Sequence, residues 1–86
     1  MPRLAGAVAL ACALALATPA LADRAPTPEE RSRIESVLRA EGFSRWDDIE
    51  LDDGVWEVDD AVGPDGREYD LKLDPNTLAI LERKPD

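Results

Sequence analysis

From Thr27 to Gly42 the apolar residues of this chain recur at helical spacing, and from Trp46 onward they recur at every second position. No other feature restricts the fold as much. A helix with one apolar stripe and strands with one apolar face each need a cover, and here each is the cover available to the other. Upstream of the change, Thr27-Pro28-Glu29-Glu30 has the form of a helix start. Thr27 is placed to cap, Pro28 to take the first helical position and Glu30 to close a capping box. Ile34, Val37 and Leu38 follow at i, i+3 and i+4, while Glu29/Arg33 and Glu35/Arg39 stand four apart on the exposed side, acid first. Gly42 supplies a left-handed stop, and Phe43 can fold back on Leu38. The lead from Asp23 to Pro26 is polar and expected to be loose.

Downstream, Ile49 and Leu51 alternate with Glu50 and Asp52 ahead of a tight turn at Asp53-Gly54. Trp56 and Val58 alternate with Glu57 and Asp59, and Gly63-Pro64-Asp65-Gly66 forms a second turn. Tyr69, Leu71 and Leu73 alternate with Glu68, Asp70 and Lys72. Asp74-Pro75-Asn76-Thr77 then turns the chain into a last short strand, Leu78–Leu81. Strands with one apolar and one charged face indicate an antiparallel sheet covered on one side. The expected fold is therefore α+β: one N-terminal amphipathic helix packed on a single antiparallel sheet of three to four strands, in two layers. Ile34, Val37, Leu38 and Phe43 should pack on Ile49, Leu51, Trp56, Val58, Tyr69, Leu71, Leu73 and Ile80. Trp46 either plugs the end of this core or stays exposed as a contact anchor.

The segment before the helix is an address. Arg3 is followed by an apolar run from Leu4 to Ala17, shorter than the ~20 residues that span a bilayer. Thr18-Pro19-Ala20-Leu21-Ala22 then presents small residues at Ala20 and Ala22, the form of a signal-peptide cleavage site. Residues 1–22 are expected to be a signal peptide cut after Ala22, with residues 23–86 as the domain. An uncleaved anchor is the alternative. Cys12 lies inside the apolar run, which continues past it, so it does not have the form of a lipidation site. The domain is thus expected in the periplasm or secreted, with no stable membrane anchor and no disulfide.

Charge and composition exclude several functions. The whole chain carries −9, with 19 acidic residues against 10 basic ones, which argues against nucleic acid as a partner. It has no His, and its one Cys lies in the leader, so the usual zinc ligands and the usual general base are missing. No catalytic constellation and no cofactor are expected, and the chain is not expected to be an enzyme. Eight of the fourteen residues from Asp47 to Asp60 are acidic, which raises a Ca²⁺-responsive site near Asp52, Asp53 and Asp60. The EF-hand spacing fails in both registers, because a loop glycine at Gly54 or Gly66 puts Ile49 and Leu51, or Ala61 and Gly63, at ligand positions. Turn residues and a solvated acidic face account for the same carboxylates.

The pattern resembles the PepSY domain family in its small stand-alone bacterial form. The likeness runs through Glu41-Gly42-Phe43, Ile49-Glu50-Leu51-Asp52-Asp53-Gly54-Val55-Trp56-Glu57-Val58 and Asp65-Gly66-Arg67-Glu68-Tyr69-Asp70-Leu71-Lys72-Leu73-Asp74-Pro75. It implies a link to the propeptides of thermolysin-like metallopeptidases and to peptidase inhibition, with no catalytic residues to carry over. No His-Glu-x-x-His segment occurs in the chain, so any such role is expected in trans. The leading expectation is a module that binds and modulates, or inhibits, a peptidase or another protein of the cell envelope. Its candidate contacts are Trp46, Glu50, Glu57, Glu68, Asp70, Lys72, Leu78 and Leu81. A divalent-cation-responsive acidic domain and a homodimer paired through an edge strand are the alternatives.

Overall fold

The computed structural model describes residues 22–86 of the chain; the leader up to Leu21, with Cys12, lies outside them. Helix α1 spans Pro28–Ala40. It starts where Thr27 Oγ1 accepts from the Glu30 N–H at 3.2 Å, and Glu30 Oε1 accepts from the Thr27 N–H at 2.9 Å. Two donors that the first turn leaves over are satisfied by this reciprocal pair. At the other end Gly42 takes φ +94, the Phe43 N–H donates to Leu38 O at 2.9 Å and the Gly42 N–H donates to Arg39 O at 3.0 Å. This is a Schellman stop, and it turns Phe43 back into the core beside Leu38.

Four strands follow: β1 Ile49–Asp52, β2 Val55–Val62, β3 Glu68–Leu73 and β4 Ile80–Pro85. They form one antiparallel meander in the order β1-β2-β3-β4. Asp53 and Gly54 both have positive φ, at 54 and 83, as a two-residue hairpin that matches strand twist requires. The α+β architecture expected from the change of period is present, with α1 ahead of the strands.

Ile34, Leu38, Phe43, Ile49, Leu51, Trp56, Val58, Ala61, Leu71 and Leu73 form one buried cluster, with Val37, Trp46, Tyr69, Leu78 and Ile80 packed around it. One face of the sheet is therefore covered by α1, as its stripe required. Ala61 was not anticipated. Strict alternation after Val58 directs Asp60 and Val62 inward, but Asp59 and Asp60 together stand opposite Asp70 in a bulge. The extra residue moves the inward positions to Ala61 and Gly63, both buried, and keeps the Asp60 carboxylate out of the core. Gly63 also lies against its neighbours: a Cβ there would lie 3.2 Å from the Tyr69 ring and 3.1 Å from Asp65 Oδ1.

Two expectations about the ends of the domain are corrected. The lead is not loose: Arg24 pairs with Leu51 through N–H···O bonds of 3.1 and 2.7 Å, and Asp23 Oδ1 accepts from the Asp53 N–H. Thus the outer edge of β1 carries a backbone partner. The last strand is not Leu78–Leu81 but Ile80–Pro85, with a register shift between Lys72 and Leu73 that leaves Leu81 as the extra residue. An edge strand needs no apolar face, so the charged run Glu82-Arg83-Lys84 extends it.

Arginines stand over the aromatic side chains at three borders of the core. Arg24 lies 5.5 Å from the Trp56 ring centre, Arg39 5.3 Å from Trp46 and Arg83 5.2 Å from Phe43. Each covers apolar surface with its stem and places a cation on a ring face. In a domain of roughly 60 residues, which buries only about 60% of its chain surface, such border contacts supplement a small core.

Candidate functional site

The uncovered face of the sheet is built by strand register. Glu50, Glu57, Lys72 and Glu82 form one row across all four strands, and Asp70 and Lys84 pair in the next. Acids outnumber bases, and Glu50 stands directly opposite Glu57, a like-charged pair that sheets disfavour. The Glu57 carboxyl is pushed up, first by burial, then by hydrogen bonding and charge from Asp52, with Lys72 working against the shift. The Asp59 carboxyl is pushed up by burial and by the charges of Asp70, Asp48, Asp47 and Asp86. The face is a preassembled anionic surface with two lysines set into it.

Of the expected contacts, Glu50, Glu57, Asp70 and Lys72 are brought together on this face. Glu68, at its end, joins Asp60 and Asp86 in a group whose carboxylate oxygens lie within 4.8 Å of one another. The Asp60 carboxyl there is pushed up to about 6, chiefly by a hydrogen bond with Asp86, then by burial and by the charges of Asp86, Glu68 and Asp70. The cation grouping expected near Asp52, Asp53 and Asp60 does not form. Asp52 pairs with Val55, and Asp60 lies five residues further along β2, about 16 Å away at strand rise.

The other three expected contacts lie elsewhere. Trp46 is half-buried, packed on the core beneath Arg39 at the end of the sheet. Leu78 is not a strand residue. It takes φ +63 before β4 and packs half-buried against the core. Leu81, at the β4 irregularity, is 58% exposed, the one large hydrophobic side chain so exposed among the described residues. It belongs with Val37, Glu41, Leu78 and Ile80 to a groove between α1 and β4.

The β4 edge is protected. The Asp86 N–H donates to Glu68 O, so by alternation Lys84 and Glu82 also bond inward and Arg83 and Pro85 face outward. Pro85 offers no N–H, and the irregularity at Leu81 interrupts the row of outward groups. Both are devices that discourage pairing with another strand, and they weigh against an edge-paired homodimer.

Sequence reasoning missed Glu82 and Lys84 on the open face, and Arg24 and Arg33 on the helix side. The charged run Glu82-Arg83-Lys84 after Ile80, with Pro85 tolerated only at an edge, was the available signal for the first pair. The expected Glu35/Arg39 pair forms at 3.9 Å, with Arg31 also reaching Glu35 at 3.7 Å. Glu29 and Arg33 close no ion pair. Instead Arg33 borders a cavity of about 390 Å³ with Glu30, Ile34, Trp56, Pro75, Asn76, Thr77 and Leu78. Among the described residues no helix is long and apolar enough to cross a membrane.

A helix laid on one face of a four-stranded meander whose other face is open and charged defines a small α+β domain. The sequence model of the family PepSY_2, described as "Peptidase propeptide and YPEB domain", matches residues 6–84, nearly the whole chain. The protein belongs to this family. PepSY domains are generally non-catalytic modules of the propeptide or inhibitor kind. Comparison with curated proteins and with solved structures returns no match.

Proposed function

We propose that this protein is a non-catalytic module, exported to the periplasm or secreted by the leader of residues 1–22, that binds and modulates a cell-envelope protein in trans. A peptidase is the first candidate. Family membership carries this reading, because the family is that of peptidase propeptides. The open sheet face supports it: Glu50, Glu57, Asp70 and Glu82 outnumber Lys72 and Lys84, so the surface suits a basic patch and would speed encounter with one. The absence of His from the whole chain supports a binding role over a catalytic one.

The purified protein, titrated into envelope peptidases of its host, should change the rate of at least one of them with micromolar affinity. A variant with Glu50, Glu57, Asp70 and Glu82 replaced by their amides should lose that effect as salt dependence disappears, while keeping its circular dichroism. Neither binding nor a change in any peptidase rate at micromolar concentration would overturn the proposal.

A further inference from the structure

The two halves of the open sheet face differ in how their charges pair. Across β3 and β4 the outward residues stand in pairs of opposite sign, Lys72 with Glu82 and Asp70 with Lys84. Across β1 and β2 they stand in pairs of like sign. Glu50 is opposite Glu57, and the Asp59 N–H donates to Asp48 O at 2.9 Å, which sets Asp48 beside Asp59. Asp52, one step along β1 from Glu50 on the same side, extends the row. Asp48, Glu50, Asp52, Glu57 and Asp59 thus form a strip two strands wide with no base in it. Asp60, the extra residue of the bulge, is drawn instead into the group with Glu68 and Asp86.

The fold leaves this strip uncompensated. Among the described residues the ion pairs are Arg24–Glu30, Arg31–Glu35, Arg39–Glu35 and Arg83–Glu41, and none of them includes an acid of the strip. Lys72 borders it, opposite Glu57, but stands between that acid and Glu82. The Glu57 and Asp59 carboxyls are both pushed up, by burial first and then by neighbouring acids, Asp52 for Glu57 and Asp70, Asp48 and Asp47 for Asp59. Like charges directly opposite one another weaken a sheet, and here two such pairs stand side by side. Cations laid along the strip would relieve both.

We infer that the β1–β2 strip is the docking surface for an extended segment of the partner protein that carries Lys or Arg at every second residue. The inference rests on the reading of the open face as the partner's surface, and narrows it to one half of that face and one sequence pattern. Spacing selects the pattern. Asp48, Glu50 and Asp52 advance by two residues at a time, about 6.6 Å along the strand. Bases at alternate positions of an extended chain advance by the same step and point to one side. In a helix, bases four apart advance about 6 Å but turn by about 40° at each step, so a third one lies about 80° off the row. Lys72 and Lys84 repel bases from the other half, which fixes where the segment lies.

The acetylated and amidated pentapeptide Lys-Thr-Lys-Thr-Lys is the probe, followed by two-dimensional NMR in about 0.1 M salt, where charges more than about 10 Å apart are screened. It should move the Glu50, Glu57 and Asp59 amide signals saturably and leave those of Lys84 and α1 in place. Lys-Lys-Lys-Thr-Thr, of the same composition and charge, turns one lysine away when extended and should bind about threefold more weakly, the loss expected for one exposed ion pair. Glu50→Gln with Glu57→Gln should weaken the alternating peptide about tenfold, as two such contacts are lost. Asp70→Asn with Glu82→Gln removes the same charge from the other half, keeps an oxygen for the Asp60 N–H, and should weaken it by less than about twofold. Equal binding of the two peptides, equal effects of the two double variants, or no amide shift up to about 20 mM peptide overturns the inference. The two proposals fail separately. Binding of the peptide as expected, with no envelope peptidase responding to the protein, overturns the peptidase reading alone. A peptidase effect that survives Glu50→Gln with Glu57→Gln but not Asp70→Asn with Glu82→Gln overturns the strip alone.

Discussion

Glu30 and Asp60 are both acids on the surface of a strongly acidic domain, and the fold treats them in opposite ways. Beside β1, Glu30 accepts two bonds from Arg24 and one from the Thr27 N–H, and its carboxyl is held down at about 2, with the Arg24 hydrogen bond the largest cause. At the β2 bulge, Asp60 sits with φ 53 among Asp86, Glu68 and Asp70, and its carboxyl is pushed up to about 6. The difference follows from which neighbours the backbone delivers. The lead strand brings a guanidinium to Glu30 by pairing Arg24 with Leu51, whereas the meander brings carboxylates to Asp60. Net charge sets the average repulsion, and register decides which acids bear it.

The most disruptive test removes the core that holds both regions. Leu38→Ala should cost about 2–5 kcal/mol, enough to abolish most of the stability of a small domain without disulfides. Urea unfolding should show it, and the two carboxyl titrations should converge on ordinary values. Gly54→Ala forces an L side chain to φ 83 in the hairpin beside the Asp23–Asp53 contact, and should cost about 1–2 kcal/mol. Its effect should be read as a lower urea midpoint with an unchanged slope.

Arg24→Ala separates the two acids directly. A depressed carboxyl contributes stability above its unfolded value of 4.5, and that contribution disappears as pH falls toward about 2. The variant should therefore melt a few degrees lower at neutral pH, differ less from the parent at the acid end of this window, where only the contact with Trp56 stays lost, and show Glu30 titrating closer to its usual value while the Thr27 N–H still holds it down. Asp60→Asn should act with the opposite sign and more weakly. A raised carboxyl favours the fold when protonated, so its contribution is complete below 3.8 and is lost as pH rises through about 6. A permanently neutral side chain should be more stable than the parent above that window and no more stable below it. If melting temperatures of Asp60→Asn and the parent agree across the whole range, the crowding at the bulge has no energetic consequence and the comparison fails.

Much of this fold was legible because its signals are short-range. Thr27 and Glu30 lie three apart, Gly42 and Phe43 directly follow the helix, and Asp53-Gly54 specifies its own turn. Every buried hydrophobic residue except Ala61 follows from the two periods or, for Phe43, from the helix stop at Gly42. Ala61 was hidden because one extra residue in β2 reverses the inward and outward faces, and alternation carries no mark of where a bulge falls. The end of the chain was hidden because Glu82-Arg83-Lys84 has no apolar face, which an edge strand can do without. Of the candidate contacts, the four on the open face were legible from the same alternation. Leu78 was misplaced because its backbone is set by bonds around Asp74 rather than by its own strand propensity.

What the amino-acid order settled by itself is the set of local decisions: where α1 starts and stops, where the hairpins turn and which side of each short strand is apolar. These depend on residues within a few positions of one another, so no long-range contact is needed to choose among them. The tertiary structure alone decided which charges meet. Arg24 reaches Trp56 and Leu51, Arg83 reaches Phe43, and Asp60 meets Asp86, across separations that a local pattern does not encode. Hydrogen bonds reach only a few ångströms and exposed charges are screened beyond about 10 Å, so the electrostatic character of each surface emerges only when the register of the meander is closed.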